Sequence, residues 1–337
     1  MKKVVVLFPL ILLIFASCNF KSARVENNKG YEKYKLEKYD EAIAFYNAAI
    51  EADSGFAMAY NNRGLAKHAL KQYNEAMLDY AKAISLDPRM SEPYCNRGLT
   101  EYKQKKYEVA ITDLNKAIEL NPSMPEAYCN RGMTYYKLKN YESAMSDLNR
   151  ALQLKPQMSE ALTNRGLVYY KLAKYLEAMR DFDRSIELDP NEAIVYSNRG
   201  LTEYKQQNFE KAMKDFNKSV SLDSTLAETY SNRGLCKNGM EKYEEAILDL
   251  SKAIQMNPDF AEAYTNRGLA KYNLGNFPEA IADLTISIDK NPNGFAAYVN
   301  RGYARLSTDK EGACADFQKA FDLGYVDVED AIKENCK

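Results

Sequence analysis

The most distinctive chemical group in the sequence is an asparagine that recurs within the tripeptide Asn-Arg-Gly. It stands just before the arginine, at a constant interval along the chain: Asn62, Asn96, Asn130, Asn164, Asn198, Asn232, Asn266 and Asn300. A side-chain amide offers both a donor and an acceptor, which match the paired N–H and C=O groups of an extended peptide. The spacing therefore predicts a ladder of peptide-binding amides. The alternative is that each amide only bonds the neighbouring helix.

Lysines form a second recurring group, at position +5 from the glycine of the tripeptide in the middle of the chain. They are Lys103, Lys137, Lys171 and Lys205. At about 100° per residue on a helix, they lie roughly 140° from the glycine and the asparagines lie roughly 160° from it, so both rows face the same way. We include these lysines in the candidate binding surface. The alternative is that they are ordinary solvated helix charges.

The arginine of the tripeptide is accompanied by an aspartate in the second half of each unit. The arginines are Arg63, Arg97, Arg131, Arg165, Arg199, Arg233, Arg267 and Arg301, and the aspartates are Asp79, Asp113, Asp147, Asp181, Asp215, Asp249, Asp283 and Asp316. The first unit has Lys29 in place of the arginine and Phe45 in place of the aspartate. Because the two residues occur together and disappear together, we expect an ion pair between helices, within a unit or between neighbours. A row of arginines for anionic ligands is the alternative.

Residue types that support common catalytic and metal chemistry are scarce. His68 is the single histidine, and the sequence contains no CxxC motif, no HExxH motif and no Gly-rich phosphate loop. Lys+Arg (46) and Asp+Glu (47) nearly cancel, which argues against a nucleic-acid partner. We therefore predict that the protein is not an enzyme and that it needs neither a cofactor nor a metal.

A repeat of about 34 residues positions all of these groups. Its glycines fall at positions 30, 64, 98, 132, 166, 200, 234, 268 and 302. With that glycine as position 0, tyrosine is common at −4 and +4, alanine at +12, a large apolar residue at +16 and proline at +24. Each unit therefore predicts two amphipathic helices of about 14 residues. One unit cannot bury its apolar face alone, so stacked units must share a core.

This recurring pattern of aromatic, Gly, Tyr, Ala and Pro residues resembles the tetratricopeptide repeat (TPR) family. The resemblance implies an all-α fold, a right-handed α-solenoid superhelix of about nine helix-turn-helix repeats with a C-terminal capping helix, over residues 26–337. The first helix of each repeat would line a concave groove, and the recurring asparagine resembles one that peptide-binding members use there. Two departures are the arginine in place of the family's leucine and a tyrosine one residue later. Leucine at +1 argues against the family's two-carboxylate clamp.

The N-terminal residues resemble a bacterial lipoprotein signal. Two lysines precede an apolar run, Val4 to Ile14, which is followed by Phe-Ala-Ser-Cys at 15–18. The run is shorter than the roughly 20 residues of a membrane span. The resemblance assigns residues 1–17 to a signal peptide and residues 18–25 to a lipidated Cys18, carrying palmitate or a similar acyl chain, and a polar tether. It implies anchoring in the bacterial cell envelope, on the periplasmic or surface face of the outer membrane. Ordinary secretion is the alternative.

Two C-terminal cysteines, Cys314 and Cys336, are candidates for a disulfide, because an oxidising envelope compartment permits one. It would fasten the final helix to the last repeat. Cys95 and Cys129 occupy equivalent positions one repeat apart, and we expect them to be too distant to bond.

Together these features predict a scaffold that is anchored by lipid in the envelope and binds a protein or peptide in its groove, in envelope complex assembly or secretion. One alternative is a glycan- or cell-wall-binding protein, for which tyrosines exposed in the groove would be the sign. The other is a structural spacer without a dedicated ligand.

Overall fold

The computed structural model describes residues 8–336, with side chains described from residue 21 to residue 336. Over that span the chain forms nineteen α-helices, one short 3-10 helix and no strand. The prediction of an all-α repeat array is confirmed. The proposed lipidation of Cys18 and the signal peptide at residues 1–17 fall outside the residues whose side chains are described.

None of the helices among the described residues combines the length and the apolar character needed to span a bilayer.

The chain divides into two compact units, of which the first comprises residues 1–168. Its helices are α1 (Phe8–Lys35), α2 (Tyr39–Ala52), α3 (Ala57–Ala69), α4 (Tyr73–Leu86), α5 (Ser91–Lys103), α6 (Tyr107–Leu120), α7 (Pro125–Lys137), α8 (Tyr141–Leu154) and most of α9 (Ser159–Lys171). From α1 to α8 each odd-numbered helix packs against the helix that follows it, and successive odd-numbered helices up to α7 also touch one another. The odd-numbered helices therefore form a continuous surface within this unit.

The second unit comprises residues 169–337 and repeats the same arrangement. It contains the end of α9, from residue 169 onwards, and then α10 (Tyr175–Leu188), α11 (Ala193–Lys205), α12 (Phe209–Leu222), α13 (Ala227–Gly239), α14 (Tyr243–Met256), α15 (Ala261–Asn273), α16 (Phe277–Lys290), α17 (Phe295–Arg305), α18 (Lys310–Asp322), a 3-10 helix (Val326–Val328) and α19 (Glu329–Asn335). Here α11, α13, α15 and α17 touch in succession and provide the continuous surface.

The repeated glycine lets the two helices of a repeat approach closely. A Cβ atom added to Gly98 would lie 2.8 Å from Leu114 Cγ and 3.1 Å from the carbonyl oxygen of Ala110. These neighbours are the large residue at +16 and the alanine at +12, both of which are fully buried. The glycine and alanine of the sequence pattern therefore mark the contact between the two helices, as predicted.

The turn between the two helices of a repeat contains a residue in the left-handed conformation, which no residue type in the sequence marks. Residues with positive φ recur at position +7: Glu37, Lys71, Lys105, Lys139, Ala173, Gln207 and Glu241, with φ between 57° and 62°, and Gly275. The turn is closed by backbone bonds, for example from Lys106 N–H to the carbonyl oxygen of Glu101 at 2.9 Å. Such a turn usually favours glycine, because other L-residues pay a steric penalty in this region.

The C-terminal segment covers the last repeat. Val328 and Ala331 are buried against the core of α17 and α18. The structure joins Cys314 of α18 to Cys336, which follows α19, by a disulfide with a Cα–Cα distance of 5.5 Å. The final helix is thus held to the last repeat by apolar packing and by a covalent link.

Candidate functional site

In seven repeats the arginine of the tripeptide donates two hydrogen bonds to an aspartate of the same repeat. Arg131 donates from Nε to Asp147 Oδ2 and from Nη2 to Asp147 Oδ1, each at 2.7 Å. The same geometry occurs in Arg63–Asp79, Arg97–Asp113, Arg199–Asp215, Arg233–Asp249, Arg267–Asp283 and Arg301–Asp316. The expected ion pair is therefore present in these repeats. Its arginines are committed to the fold rather than to anionic ligands.

The remaining guanidinium nitrogen of the arginine, Nη1, bonds a side chain of the preceding repeat. Arg131 donates from Nη1 to Asn115 Oδ1 at 2.6 Å, and Asn115 lies on α6. Equivalent acceptors are Asn47, Asn149, Asp183, Asn217, Ser251 and Thr285, which serve Arg63, Arg165, Arg199, Arg233, Arg267 and Arg301 respectively. The corresponding residue for Arg97 is Ala81, which has no side-chain acceptor. The arginine thus connects helices both within a repeat and between neighbours.

In five repeats the ladder asparagine bonds the preceding repeat through one N–H of its amide. The Nδ2 atom donates to the side chain that precedes the equivalent asparagine one repeat earlier: Asn62 to Asn27 Oδ1 and Asn96 to Asn61 Oδ1 at 3.0 Å, and Asn130 to Cys95 Sγ, Asn164 to Cys129 Sγ and Asn232 to Ser197 Oγ at 3.5 Å. A primary amide keeps a second N–H and an oxygen after one such bond. The structural role that was the alternative to peptide binding is present, and it leaves bonding capacity for a ligand.

The ladder residues differ in exposure. Asn130 and Asn164 are buried, with 6 % and 9 % of their surface exposed. Asn198, Asn266 and Asn300 are half-buried, like the other members of the ladder. Buried amides in the first unit are therefore less available to a ligand than the half-buried ones in the second.

A groove of about 440 Å³ lies on the odd-numbered helices of the second unit, and we call it the second-unit groove. It contains four of the predicted site residues: Lys171, Lys205, Asn232 and Asn266. Its other principal lining side chains are Tyr170, Leu201, Leu235, Thr265, Glu262 and Phe295. The groove thus combines apolar side chains, amides and charges of both signs on one surface.

The remaining predicted residues lie elsewhere. Asn62 lines a separate recess of about 420 Å³ in the first unit, together with Tyr31 and Met58. Lys103 and Lys137 are exposed residues of the first unit, and each ammonium lies 5.9 Å from the ring of the tyrosine that precedes it. The second-unit groove is where amides and lysines of the predicted set meet.

Two lining residues of the second-unit groove were not part of the predicted set although the repeat marks their positions. Leu201 and Leu235 both occupy position +1, next to the glycine. Phe295 stands at position −7, where the other repeats carry alanine, serine or proline, so the repeat pattern does not predict an aromatic ring there. Its exposed fraction of 41 % and its place in the groove emerge only from the structure.

Among the residues that the structure describes, the titratable groups of the core are not arranged for catalysis or metal binding. Burial raises the pKa of the Cys95 thiol to about 12 and also raises that of Cys129, which keeps both thiols protonated. His68 Nδ1 lies 2.7 Å from Thr100 Oγ1, and burial lowers the pKa of its ring. Among the described residues no group of three or more His, Cys, Asp or Glu side chains is placed to hold a metal ion.

Glu101 is the exceptional core carboxyl group. It is only 4 % exposed, and its Oε2 atom has no hydrogen-bond partner among the described residues. Burial, together with the nearby charge of Asp113, raises the pKa of Glu101 to about 7. It does not line the second-unit groove, so we expect it to affect the pH dependence of stability rather than binding.

Family models match most of the array. Models described as "Tetratricopeptide repeat" match residues 23–56, 57–90, 125–158, 159–192, 193–226 and 265–320, and one described as "TPR repeat" matches residues 98–139 and 240–275. No curated protein matches the sequence significantly.

Solved structures share the fold at low sequence identity. One chain from the crystal structure of the APC/C hetero-tetramer Cut9–Hcn1 superposes with a TM-score of 0.69 at 13 % identity, over 94 % of this chain and 76 % of that chain. A tetratricopeptide repeat protein from Parabacteroides merdae gives 0.57 at 23 % identity, over 74 % and 99 %. Pseudomonas aeruginosa pilF gives 0.53 at 21 % identity, over 63 % and 96 %. At these identities the likeness concerns the fold alone.

Proposed function

The chain belongs to the tetratricopeptide repeat family, and from this premise we propose that it binds an extended segment of a partner protein in the second-unit groove. Proteins of this family are generally binding scaffolds rather than enzymes, and the fold is suited to protein–protein interaction. The observation that carries the proposal is the juxtaposition of Leu201 and Leu235 with the amides of Asn232 and Asn266 in one groove.

The chemistry of this lining matches a peptide main chain. Asn232 uses one N–H towards Ser197, so its second N–H and its oxygen can bond the C=O and N–H of an extended segment. Leu201 and Leu235 are partly buried and offer apolar surface to the side chains of that segment. Polar groups give the direction and register of the bound chain, and the apolar surface provides the favourable free energy.

A peptide-display selection against the full chain tests this proposal. Peptides that the wild type enriches should lose at least 10-fold in affinity for a Leu235→Arg variant, because the new charge occupies the groove. The matched control is Leu248→Arg, since Leu248 is 71 % exposed in the same unit and does not line the groove. Equal binding by both variants, or no enriched peptide, would contradict the proposal, provided that circular dichroism shows both variants folded.

We further propose that the protein is held in the bacterial envelope by acylation of Cys18 and acts as a scaffold in envelope complex assembly or secretion. The support is the lipoprotein-type sequence at residues 1–18. Mass spectrometry of the N-terminal peptide from membranes should show an acylated cysteine, and Cys18→Ala should move the protein to the soluble fraction. A Cys18→Ala variant that stays in the membrane fraction would contradict the anchor.

The other candidate functions receive less support. A glycan-binding groove usually presents several aromatic rings, whereas Tyr170 and Phe295 are the aromatic side chains that line this one. A pure spacer needs no ordered combination of amides, leucines and charges. A peptide or protein ligand is therefore the function that the groove favours.

A further inference from the structure

The charged side chains of the second-unit groove are divided between its two ends. Lys171 and Lys205 lie at the ends of α9 and α11, whereas Glu262 lies on α15. The next two repeats carry Gly239 and Asn273 at the position of these lysines, so the row of cations stops after α11. The groove is therefore cationic towards α9 and α11 and anionic towards α15.

Within the part of the chain that the structure describes, Lys171, Lys205 and Glu262 form no ion pair. Other lysines of the same unit do find carboxylates, as Lys271 does with Asp283 at 2.7 Å and Lys290 with Asp259 at 2.7 Å. Charges on a concave surface that pair with no opposite charge of the protein are available to a ligand of opposite sign.

The anionic end also carries a fixed aromatic ring. Phe295, at the start of α17, stacks on Tyr325 with ring centroids 4.8 Å apart and an interplanar angle of 7°. Tyr325 belongs to the segment that leads into the C-terminal cap, where its N–H donates to the carbonyl oxygen of Ala320. One side of the Phe295 ring is held by this stack, and 41 % of the residue remains exposed at the groove. Such an ordered ring is a suitable surface for a bulky apolar side chain.

From this division we infer that the ligand is a peptide segment with an acidic cluster at one end and a bulky apolar residue at the other. The acidic side chains would pair with Lys171 and Lys205, and the apolar side chain would pack on Phe295. This inference rests on the proposed peptide-binding function. It adds the chemistry of the partner and the orientation in which it lies.

The helical geometry sets the length of such a segment. Three helix-to-helix steps separate α11 from α17, and each step is about 8–10 Å. Lys205 and Phe295 also lie at opposite ends of their helices, which adds about 18 Å across the groove at about 1.5 Å per residue. The diagonal is therefore roughly 30–35 Å, which about ten extended residues span. The acidic cluster and the apolar residue should be separated by about that number of positions.

Display selection with random peptides of about 14 residues, long enough to cover that diagonal, tests the inference. Peptides enriched by the wild type should carry Asp or Glu and, about ten positions away, Phe, Leu or another large apolar residue. Against a Lys171→Glu/Lys205→Glu variant, the same library should enrich Lys or Arg in place of the acids. If the wild type enriches peptides without an acidic bias, or if the reversed variant selects the same peptides, the inference is overturned while the proposed function stands. If no peptide is enriched, both fail.

Affinity measurements by fluorescence anisotropy give the quantitative arm, with the best selected peptide as the probe. Lys171→Glu/Lys205→Glu should raise Kd at least 10-fold, and Phe295→Ala should raise it about 5-fold. The matched controls are Lys103→Glu/Lys137→Glu, which change the equivalent positions in the first unit, and Phe321→Ala, which changes an exposed ring outside the groove. These controls should alter Kd by less than 2-fold. Equal weakening by the two lysine pairs would overturn the assignment to the second-unit groove.

Discussion

Removal of one partner of the Arg131–Asp147 ion pair should destabilise the array, mainly because the other partner is left buried and unpaired. Only 19 % of the Arg131 side chain and 7 % of the Asp147 side chain are exposed. We therefore expect Asp147→Ala to be more destabilising than the double change Arg131→Met/Asp147→Leu. In the double variant both charges are replaced by apolar side chains of similar size. This pair is preferable to Arg97–Asp113, where the carboxyl group of Glu101 lies close to the arginine.

The magnitude follows from the burial of the two groups. Breaking a fully buried ion pair by removal of one partner costs about 3–5 kcal/mol. Arg131 is partly exposed and keeps its bond to Asn115 Oδ1 at 2.6 Å. We therefore expect a loss of about 2–3 kcal/mol for Asp147→Ala. The double variant loses all three bonds of the arginine, including the one to Asn115, but leaves no unpaired charge, so its loss should be about 0–1.5 kcal/mol.

Urea unfolding followed by far-UV circular dichroism measures both losses. Repeat arrays can lose cooperativity when one interface is weakened, and a changed slope of the unfolding free energy against urea concentration would show this. The comparison is therefore made between variants that keep the wild-type slope. Asn115→Ala serves as a control that removes only the contact to the preceding repeat. If the double variant were destabilised as much as Asp147→Ala or more, the reasoning from the unpaired charge would be refuted.

Three further changes test other features of the repeat. Ala81→Asn supplies the acceptor that Arg97 lacks in the preceding repeat. Urea unfolding should therefore show that this substitution changes the free energy of unfolding about 0.5–1 kcal/mol more favourably in the wild type than in the Arg97→Met background. Ala173→Gly should raise stability by about 1 kcal/mol in thermal unfolding, because Ala173 has a φ of 57°. Glu101→Gln should stabilise the protein by roughly 1–3 kcal/mol at pH 8, with little effect at pH 4, as measured by urea unfolding at both pH values.

The sign of the last effect follows from the raised pKa of Glu101. Its carboxyl group titrates near 7 in the folded protein and near 4.5 when exposed, so the folded state binds more protons between these values. Stability therefore falls as the pH rises from about 4.5 to about 7. A glutamine at this position removes that loss. Equal stabilisation at pH 4 and pH 8 would contradict this explanation.

Each of the other two changes has its own control. For Ala81→Asn the control is the Arg97→Met background, because the difference in helix propensity between alanine and asparagine is the same in both backgrounds. An identical effect of Ala81→Asn in both would exclude the new contact. Gly275→Ala is the reverse of Ala173→Gly, at the same position of another repeat. Gly275 has a φ of 79° and no atom within 4 Å of an added Cβ, so only the backbone conformation opposes the substitution. It should cost about 1 kcal/mol.

The sequence predicts the helices and their contacts well because a repeat presents each contact many times. The glycine at position 98 and its partners at +12 and +16 recur in nearly every unit, so their packing could be inferred from spacing alone. The joint occurrence of arginine and aspartate likewise predicts a pair from the sequence alone. In these cases the periodic pattern carries the information that a single helix pair would lack.

Other features depend on tertiary context and could not be inferred. The left-handed residue at +7 is glutamate, lysine, alanine or glutamine in seven repeats, so no residue type marks it. The ladder asparagine bonds a side chain of the preceding repeat whose identity changes from Asn27 to Cys95 to Ser197. Phe295 gains its place in the groove from its stack on Tyr325 near the chain end, where the repeat pattern breaks down.

A crystal structure of the full chain with a selected peptide tests peptide binding in the second-unit groove most directly. We predict an extended peptide that bonds the amides of Asn232 and Asn266, contacts Leu235 and places its acidic side chains beside Lys171 and Lys205. A peptide bound to the even-numbered helices, or one that leaves these amides and leucines untouched, would contradict the proposal.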